Sequence, residues 1–491
     1  QALEYYEGSL NMNRKVGNRL DESITLNGIG GVYDGLGQYL QALEYYNQAL
    51  TISREISYRL GESNTLGSIG VTYTNLGQYS QALKHYEQAL TISREVGNRG
   101  IEGRILNGIG AVYRSLNQYP QALEYYESAL IISREIGDRS GEGNTLSNIG
   151  LIYDDLGQYS QALDHYEQSL TISREVGNRS IEGTTLGNVG VVYRNLSQYS
   201  QALDHYEQAL TISNETGNRS GKGVILGNIG FVLLQDKQIA AAETHFMEAL
   251  FILESIRKQE LADASKIALF ETQQLLTYRI LQQILITQDK NETALEISER
   301  GRARAFVDLL SRHLSNQDIT VNSSSFSFEK ITSIAQNRQT TLVEYSIIDT
   351  VAGCPVLYIW VISPDGTLTF RQVDLTNINL SELVARSRNA IGARSRATIA
   401  QVPTEAARKQ QQADLKQLHQ LLIEPIADLF PTDPNQPVVF IPQDALNLVT
   451  KPPHHHQNEQ HQIQKHTKHT HQHPHQQPYH YEHYRDYHHQ H

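Results

Sequence analysis

Apolar residues in the first half of the chain recur every three or four positions, and the whole pattern then repeats every 40 residues. Leu26, Ile29, Gly30, Tyr33 and Leu36 fall on one stripe, and Tyr39, Ala42, Leu43, Tyr46, Ala49, Leu50 and Ser53 on the next. That spacing predicts two amphipathic helices per unit. Tyr39, Tyr79, Tyr119, Tyr159 and Tyr199 are in register, as are Ala42, Ala82, Ala122, Ala162 and Ala202. Gly30, Gly70, Gly110, Gly150, Gly190 and Gly230 form a third series without insertion or deletion. Between the two helices stand Gly37, Gly77, Asn117, Gly157 and Ser197. Gly and Asn tolerate the left-handed backbone that ends a helix, so a sharp reversal is expected there, with Ser197 the weaker fit. Gly17-Asn18-Arg19, Gly97-Asn98-Arg99 and Gly137-Asp138-Arg139 carry turn chemistry between units.

Gly30 and Ala42 leave room for two helices to approach, and Tyr33 and Tyr46 fill the space beside them. One hairpin cannot bury both of its faces, so neighbours must stack into a superhelix. Leu26, Ile29-Gly30, Tyr33, Ala42, Tyr46 and Ala49 resemble the signature of the tetratricopeptide family, and the 40-residue spacing resembles its kinesin-light-chain variant. The resemblance implies a mainly α chain, with a right-handed α-solenoid over residues 1–258: a half-repeat, five full repeats and a degenerate capping repeat. In that last unit Leu233 and Ile239 replace tyrosines and Lys237 replaces the turn glycine.

In the tetratricopeptide family the inner groove is lined by the first helix of each hairpin. Carried onto this chain, the lining positions follow Ile24, Asn27, Gly28, Gly31, Asp34 and Gly35 through the array. They vary while the packing positions hardly do. The residues expected to meet a ligand are Asn64, Arg104, Arg114, Asn144, Asn148, Asn188, Arg194 and Asn228. A row of amides can donate and accept along an extended peptide backbone, and the arginines can read acidic side chains by paired hydrogen bonds. His85, His165 and His205 share one repeat position, where Tyr45 and Tyr125 stand in other units. A position that accepts Tyr or His reads as amphipathic surface, and histidines a full repeat apart do not converge on a metal ion.

Past residue 258 the repeat stops. Residues 259–325 read as a helical connector and linker, with an amphipathic stretch over 294–314, and the Ser/Asn-rich run that reads as linker covers 315–330. Strands are expected at Thr341–Ile348, Leu357–Ile362, Leu368–Val373 and Val438–Ile441, with a hairpin turn at Ser363-Pro364-Asp365-Gly366. Helices are expected at about 379–394 and 404–430. The phrases SERGRARAFVDLL, TTLVEYSII, LYIWVISPDGTL and PVVFIPQDALNLV resemble the start of a CHAT domain, a caspase-like module found behind tetratricopeptide arrays, notably in cyanobacterial proteins. The resemblance implies that residues 326–449 are the N-terminal part of an α/β peptidase fold. The family's His-Gly and Cys motifs do not occur here, and the pattern departs soon after Val449. Cys354 lies far ahead of the family cysteine, with no matching base. The chain is therefore expected to be no enzyme. The alternative is a regulatory or substrate-recruiting part of a cysteine peptidase whose catalytic region is missing.

Composition adds four constraints. Residues 450–491 are rich in His and Gln and nearly devoid of aliphatics, which predicts a disordered tail. Metal binding, a pH-sensitive adhesive tail and an out-of-frame translation near codon 450 are the readings open for it, and the abrupt switch in composition favours the last. The formal charge of −12 argues against a nucleic-acid partner. No apolar run is long enough to cross a bilayer, and a single cysteine suits a reducing cytoplasm. The chain begins at Gln1, inside a repeat, as a fragment would. Together these features predict an interaction scaffold that takes a peptide or protein partner, without cofactor, metal or membrane.

Overall fold

A computed structural model of the protein describes residues 2–260, 264–301, 327–349, 354–390, 405–433 and 435–442. The helices of the array are α1 (Ala2–Val16), α2 (Arg19–Gly35), α3 (Tyr39–Glu55), α4 (Arg59–Asn75), α5 (Tyr79–Glu95), α6 (Arg99–Ser115) and α7 (Tyr119–Glu135). They continue as α8 (Arg139–Asp155), α9 (Tyr159–Glu175), α10 (Arg179–Asn195), α11 (Tyr199–Thr216), α12 (Arg219–Gln235) and α13 (Ile239–Glu260). Even-numbered helices are the first of each hairpin and odd-numbered ones the second.

Each first helix closes on a Schellman turn. In the first full unit Gln38 N–H donates to Tyr33 O at 2.8 Å and Gly37 N–H to Asp34 O at 2.7 Å. The residue at the turn is left-handed in every unit: Gly37, Gly77, Asn117, Gly157, Ser197 and Lys237 all have φ between 57° and 70°. Ser197 and Lys237 thus hold a conformation that disfavours a Cβ, because the packing on either side fixes it. Between units one tripeptide does three jobs. Gly97, for example, ends α5 with a positive φ, Asn98 caps α6 by accepting from Ile101 N–H at 2.9 Å, and Arg99 begins that helix.

The glycine series lets the tyrosines in. A Cβ at Gly110 would lie 2.7 Å from the ring of Tyr126, and one at Gly150 would lie 2.6 Å from Tyr166. Successive first helices touch one another (α2 with α4, on to α10 with α12), whereas among the described residues the second helices make their main contacts with first helices. The closer spacing puts the first helices on the inside of the curve.

One edge of the array carries a repeated ion ladder. Arg134 donates to the buried Glu142 at 2.8 Å, Arg139 also grips Glu142, and Arg139 reaches on to Glu175 at 2.6 Å. The same four-residue arrangement occurs at Arg14/Glu22/Arg19/Glu55, Arg54/Glu62/Arg59/Glu95, Arg94/Glu102/Arg99/Glu135 and Arg174/Glu182/Arg179/Glu215. In the final unit Lys222 stands where the buried glutamate would be, and Arg219 donates to Ser255 instead.

Beyond the array come α14 (Ala264–Thr287), α15 (291–301) and α16 (Phe328–Arg338). A four-stranded mixed sheet follows, in the order β3-β2-β1-β4. β1 (Thr341–Asp349) pairs antiparallel with β2 (Pro355–Ile362), β2 pairs antiparallel with β3 (Leu368–Asp374), and β4 (Val438–Ile441) runs parallel to β1. The expected strands are present to within two residues. The expected hairpin turn closes with Gly366 N–H donating to Ser363 O at 2.9 Å. Trp360 in β2 is fully buried and donates to Asn291 O of α15 at 3.2 Å. One hydrophobic core runs from Ala162 and Tyr206 in the array through Leu281 and Leu285 of α14 to Trp360. The packed unit extends past the array to take in residues up to 374 and 429–441.

The second unit, whose described residues are 375–390, 405–428 and 442, holds α17 (Leu380–Ala390) and α18 (Glu405–Leu422), joined by Arg386 reaching Asp414 at 3.3 Å. Two sequence expectations differ in detail. The helix foreseen over 404–430 stops at Leu422 and continues as a 3-10 turn, Glu424–Leu429. Pro425 lacks an amide hydrogen and pushes its predecessor out of the α conformation. The linker foreseen to residue 330 gives way at Phe328 to α16, whose Ile331 and Ala335 are buried. The linker stretch 315–326, the helix end 302–314 and the tail 450–491 lie outside the described residues. Among the described residues no helix is long and apolar enough to cross a membrane, and no cluster of three His, Cys, Asp or Glu could hold a metal ion.

Candidate functional site

The inner face is built from the positions left over once each first helix has packed. On α8 the buried side is Thr145, Leu146, Ile149, Gly150 and Ile152, which leaves Asn144, Asn148, Leu151, Asp154 and Asp155 pointing inward. The same geometry on the neighbouring helices makes a half-buried apolar floor of Ala111, Leu151, Val191 and Phe231. Its largest side chain, Phe231, stands at the α12 end. The sequence alone held this signal, in the series Gly31, Val71, Ala111, Leu151, Val191, Phe231.

The eight expected residues divide into small groups. Arg104 donates to Asn64 at 3.2 Å, and both border a cleft of about 440 Å³ at the start of α2, α4 and α6, with Asn27 beside them. Asn148 donates to Asn107 at 2.8 Å, and Asn107 in turn donates to Thr145 at 3.0 Å, so this stretch of the amide row is partly engaged between repeats. Asn188 is different: its Nδ2 is buried without a hydrogen-bond partner. Asn144 is exposed on α8. Arg194 lies over the Phe231 ring at 5.3 Å and donates to Asn228 at 3.2 Å and to Asn195 at 3.3 Å. Arg114, expected to be open to an acidic ligand group, instead pairs with Asp155 of the next repeat at 2.7 and 3.3 Å.

Asp154 and Asp155 follow Asp34 and Gly35 among the lining positions and stand outside the eight expected residues. Asp154 receives one long hydrogen bond, from Asn195 at 3.5 Å. Burial and then the neighbouring Asp155 push its carboxyl up to about 6, against smaller opposing effects of Asn195, Arg194 and Arg114. The hydroxyls of Tyr166 and Tyr206 are fully buried and without partners. Both rings lie in the electrostatic field of Asp154.

The histidines occupy structural places. His85, His165 and His205 stack on Tyr73, Tyr153 and Tyr193 of their own hairpins at 5.2–5.3 Å. Tyr33 with Tyr45 and Tyr113 with Tyr125 make the same contact where tyrosine replaces histidine. Burial lowers the affinity of all three imidazoles for a proton. Cys354 is exposed just before β2.

The tetratricopeptide repeat family model matches residues 1–55, 27–95, 61–134, 101–175 and 182–255, together just over half of the 491 residues. Among curated proteins the chain is similar to tetratricopeptide repeat protein 28 of Mus musculus, 31% identical over 123 residues, and to that of Homo sapiens, 30% identical over 123 residues. Each match takes in 25% of this chain and spans 5% of the relative's length. Similar solved structures include a Rap protein complexed with competence and sporulation factor, at 16% identity over 61% of this chain and 80% of that one, with a TM-score of 0.47. BtubC (BKLC) from P. vanneervenii is 18% identical over 44% of this chain and 91% of its own, with a TM-score of 0.38.

Proposed function

The chain belongs to the tetratricopeptide repeat family, whose members serve as protein-interaction scaffolds, and from that premise we propose that the inner face of α4 to α12 binds an extended segment of a partner protein. The observation that carries this reading is the half-buried apolar floor of Ala111, Leu151, Val191 and Phe231, flanked by Asn148, Asn188 and Asn228. An apolar stripe anchors alternate side chains of an extended peptide, while amides exchange hydrogen bonds with its backbone. Asn188, with a buried and unpartnered amide nitrogen, is ready for such an acceptor. Helices of 17 residues in a 40-residue unit support the kinesin-light-chain type of repeat.

The test is selection of binders to the full chain from a phage-displayed library of random decapeptides. Selected peptides should lose binding to Leu151→Arg and Val191→Arg, and keep it against Thr171→Arg on the exposed side of α9. Equal binding to all three variants would refute the groove.

A second reading applies to the C-terminal part. The sheet carries the phrases that resemble a CHAT domain in β1, β2 and β4, and a parallel strand follows two helices, as an α/β peptidase core requires. On that reading the array recruits or regulates. A cleavage assay on random peptides is expected to be blank for this chain, and activity lost on Cys354→Ala would reverse that expectation.

A further inference from the structure

The centre of the inner face has an unmet demand for hydrogen-bond donors. Asp154, on the last turn of α8, is half-buried and holds one amide at 3.5 Å, a long contact for a carboxylate. The charges around it are already engaged. Arg114 from α6 is bound to Asp155, and Arg194 from α10 is spread over Phe231, Asn195 and Asn228. From the second helices come Tyr166 of α9 and Tyr206 of α11, each fully buried with an unpartnered hydroxyl. A hydroxyl oxygen accepts as well as donates. One helical turn before Asp154, Leu151 and its neighbour Val191 offer an apolar bed for an aliphatic stem.

Building on the groove reading, we infer that Asp154, with Tyr166 and Tyr206 behind it, receives a cationic side chain, lysine or arginine, from the bound partner segment. The cation donates to the Asp154 carboxylate, and its methylene stem lies on Leu151 and Val191. Asp154, Asp155, Arg114 and Arg194 sum to zero charge in the free chain. The incoming positive charge therefore meets no net repulsion, and the overall charge of −12 favours its approach. Burial holds the Asp154 carboxyl near 6. Binding of a cation therefore favours the ionised form and weakens as pH falls below that value, with Asp155, Arg114, Arg194, Tyr166 and Tyr206 as the facing groups.

The experiment uses the full chain and the tightest decapeptide from the displayed library, measured by calorimetry. The peptide is expected to carry lysine or arginine at one required position. Replacing that residue with norleucine should weaken binding about ten-fold or more to the wild-type chain, and by little to Asp154→Asn. Wild-type binding should also weaken from pH 7 to pH 5, and Asp154→Asn binding should not. Asp154→Asn preserves shape and relieves a buried charge, so its thermal unfolding at pH 7 should be no lower than wild type. A peptide that binds the groove floor yet tolerates norleucine, or whose cation matters equally in Asp154→Asn, overturns the cation seat and leaves the groove intact. Selected peptides indifferent to Leu151→Arg overturn both.

Discussion

The edge and the inner face of the same array obey opposite rules. The Arg–Glu–Arg–Glu ladder along the edge and the glycine–tyrosine seam inside each hairpin repeat five times with the same partners at nearly the same distances. Along the inner face, the positions that follow Asp34 read Asp34, Thr74, Arg114, Asp154, Arg194 and Leu234, and no two consecutive units make the same contact. Strict repetition marks what every unit needs in order to stack. Departure from it marks positions that stacking does not dictate.

The largest effect expected from this contrast is at the seam. Gly150→Ala places a methyl group 2.6 Å from the Tyr166 ring and should destabilise the chain by about 1–3 kcal/mol in urea unfolding. Leu151→Ala, one residue along and half-buried on the inner face, should cost less than about 1 kcal/mol. Equal costs would erase the distinction between the faces.

The ladder comes next. Glu142→Gln leaves Arg134 and Arg139 facing a neutral, buried amide. A loss of about 1–2 kcal/mol is expected, tempered by the solvent that reaches both arginines. Asn148→Ala should be nearly silent by the same unfolding measurement.

The pH dependence follows from the same groups. Burial raises the carboxyls of Glu22, Glu102, Glu142 and Glu182, but their two arginines outweigh it and hold all four below the ordinary value of 4.5. Their stabilisation is present above that value and is lost as pH falls through their lowered folded values. The histidines act earlier. His85, His165 and His205 sit below the ordinary imidazole value of 6.5, chiefly through burial. Their share is complete above 6.5 and disappears as pH falls through the folded values. Unfolding curves at pH 7.5, 5.5 and 3.5 should show two losses, the first from the histidines and the second from the glutamates. Changing all three to tyrosine, the residue at Tyr45 and Tyr125, should remove the first loss and leave the second.

The smallest effect belongs to the turns. Ser197→Gly relieves a left-handed serine with φ of 59°. The gain should be only a few tenths of a kcal/mol, since glycine also loosens the unfolded chain. A loss of stability there would mean that the serine side chain has a role of its own.

The repeat was legible because its packing residues are periodic, and period alone dictates the hairpins, the reversals at Gly37 and its counterparts, and the tyrosine–glycine seams. The four strands were legible from alternating and continuous apolar runs. Two things were not. α16 hides behind a Ser/Asn-rich approach, and only Ile331 and Ala335 mark its buried side. On the inner face the pairings between repeats were not legible. Arg114 is tied to Asp155, a residue 41 positions away whose proximity only stacking reveals. The Tyr166 and Tyr206 hydroxyls look like every other seam tyrosine in the sequence, and their unmet partners appear only once neighbouring helices are in place.

The most direct test of the inner face as a binding surface is a photo-crosslink. A selected decapeptide carrying a benzoylphenylalanine is irradiated on the full chain, and the attachment site is found by mass spectrometry. Attachment is expected on α8, α10 or α12 at or beside Asn148, Leu151, Asn188, Val191, Asn228 and Phe231. Attachment confined to the second helices or to the β-sheet would contradict the account.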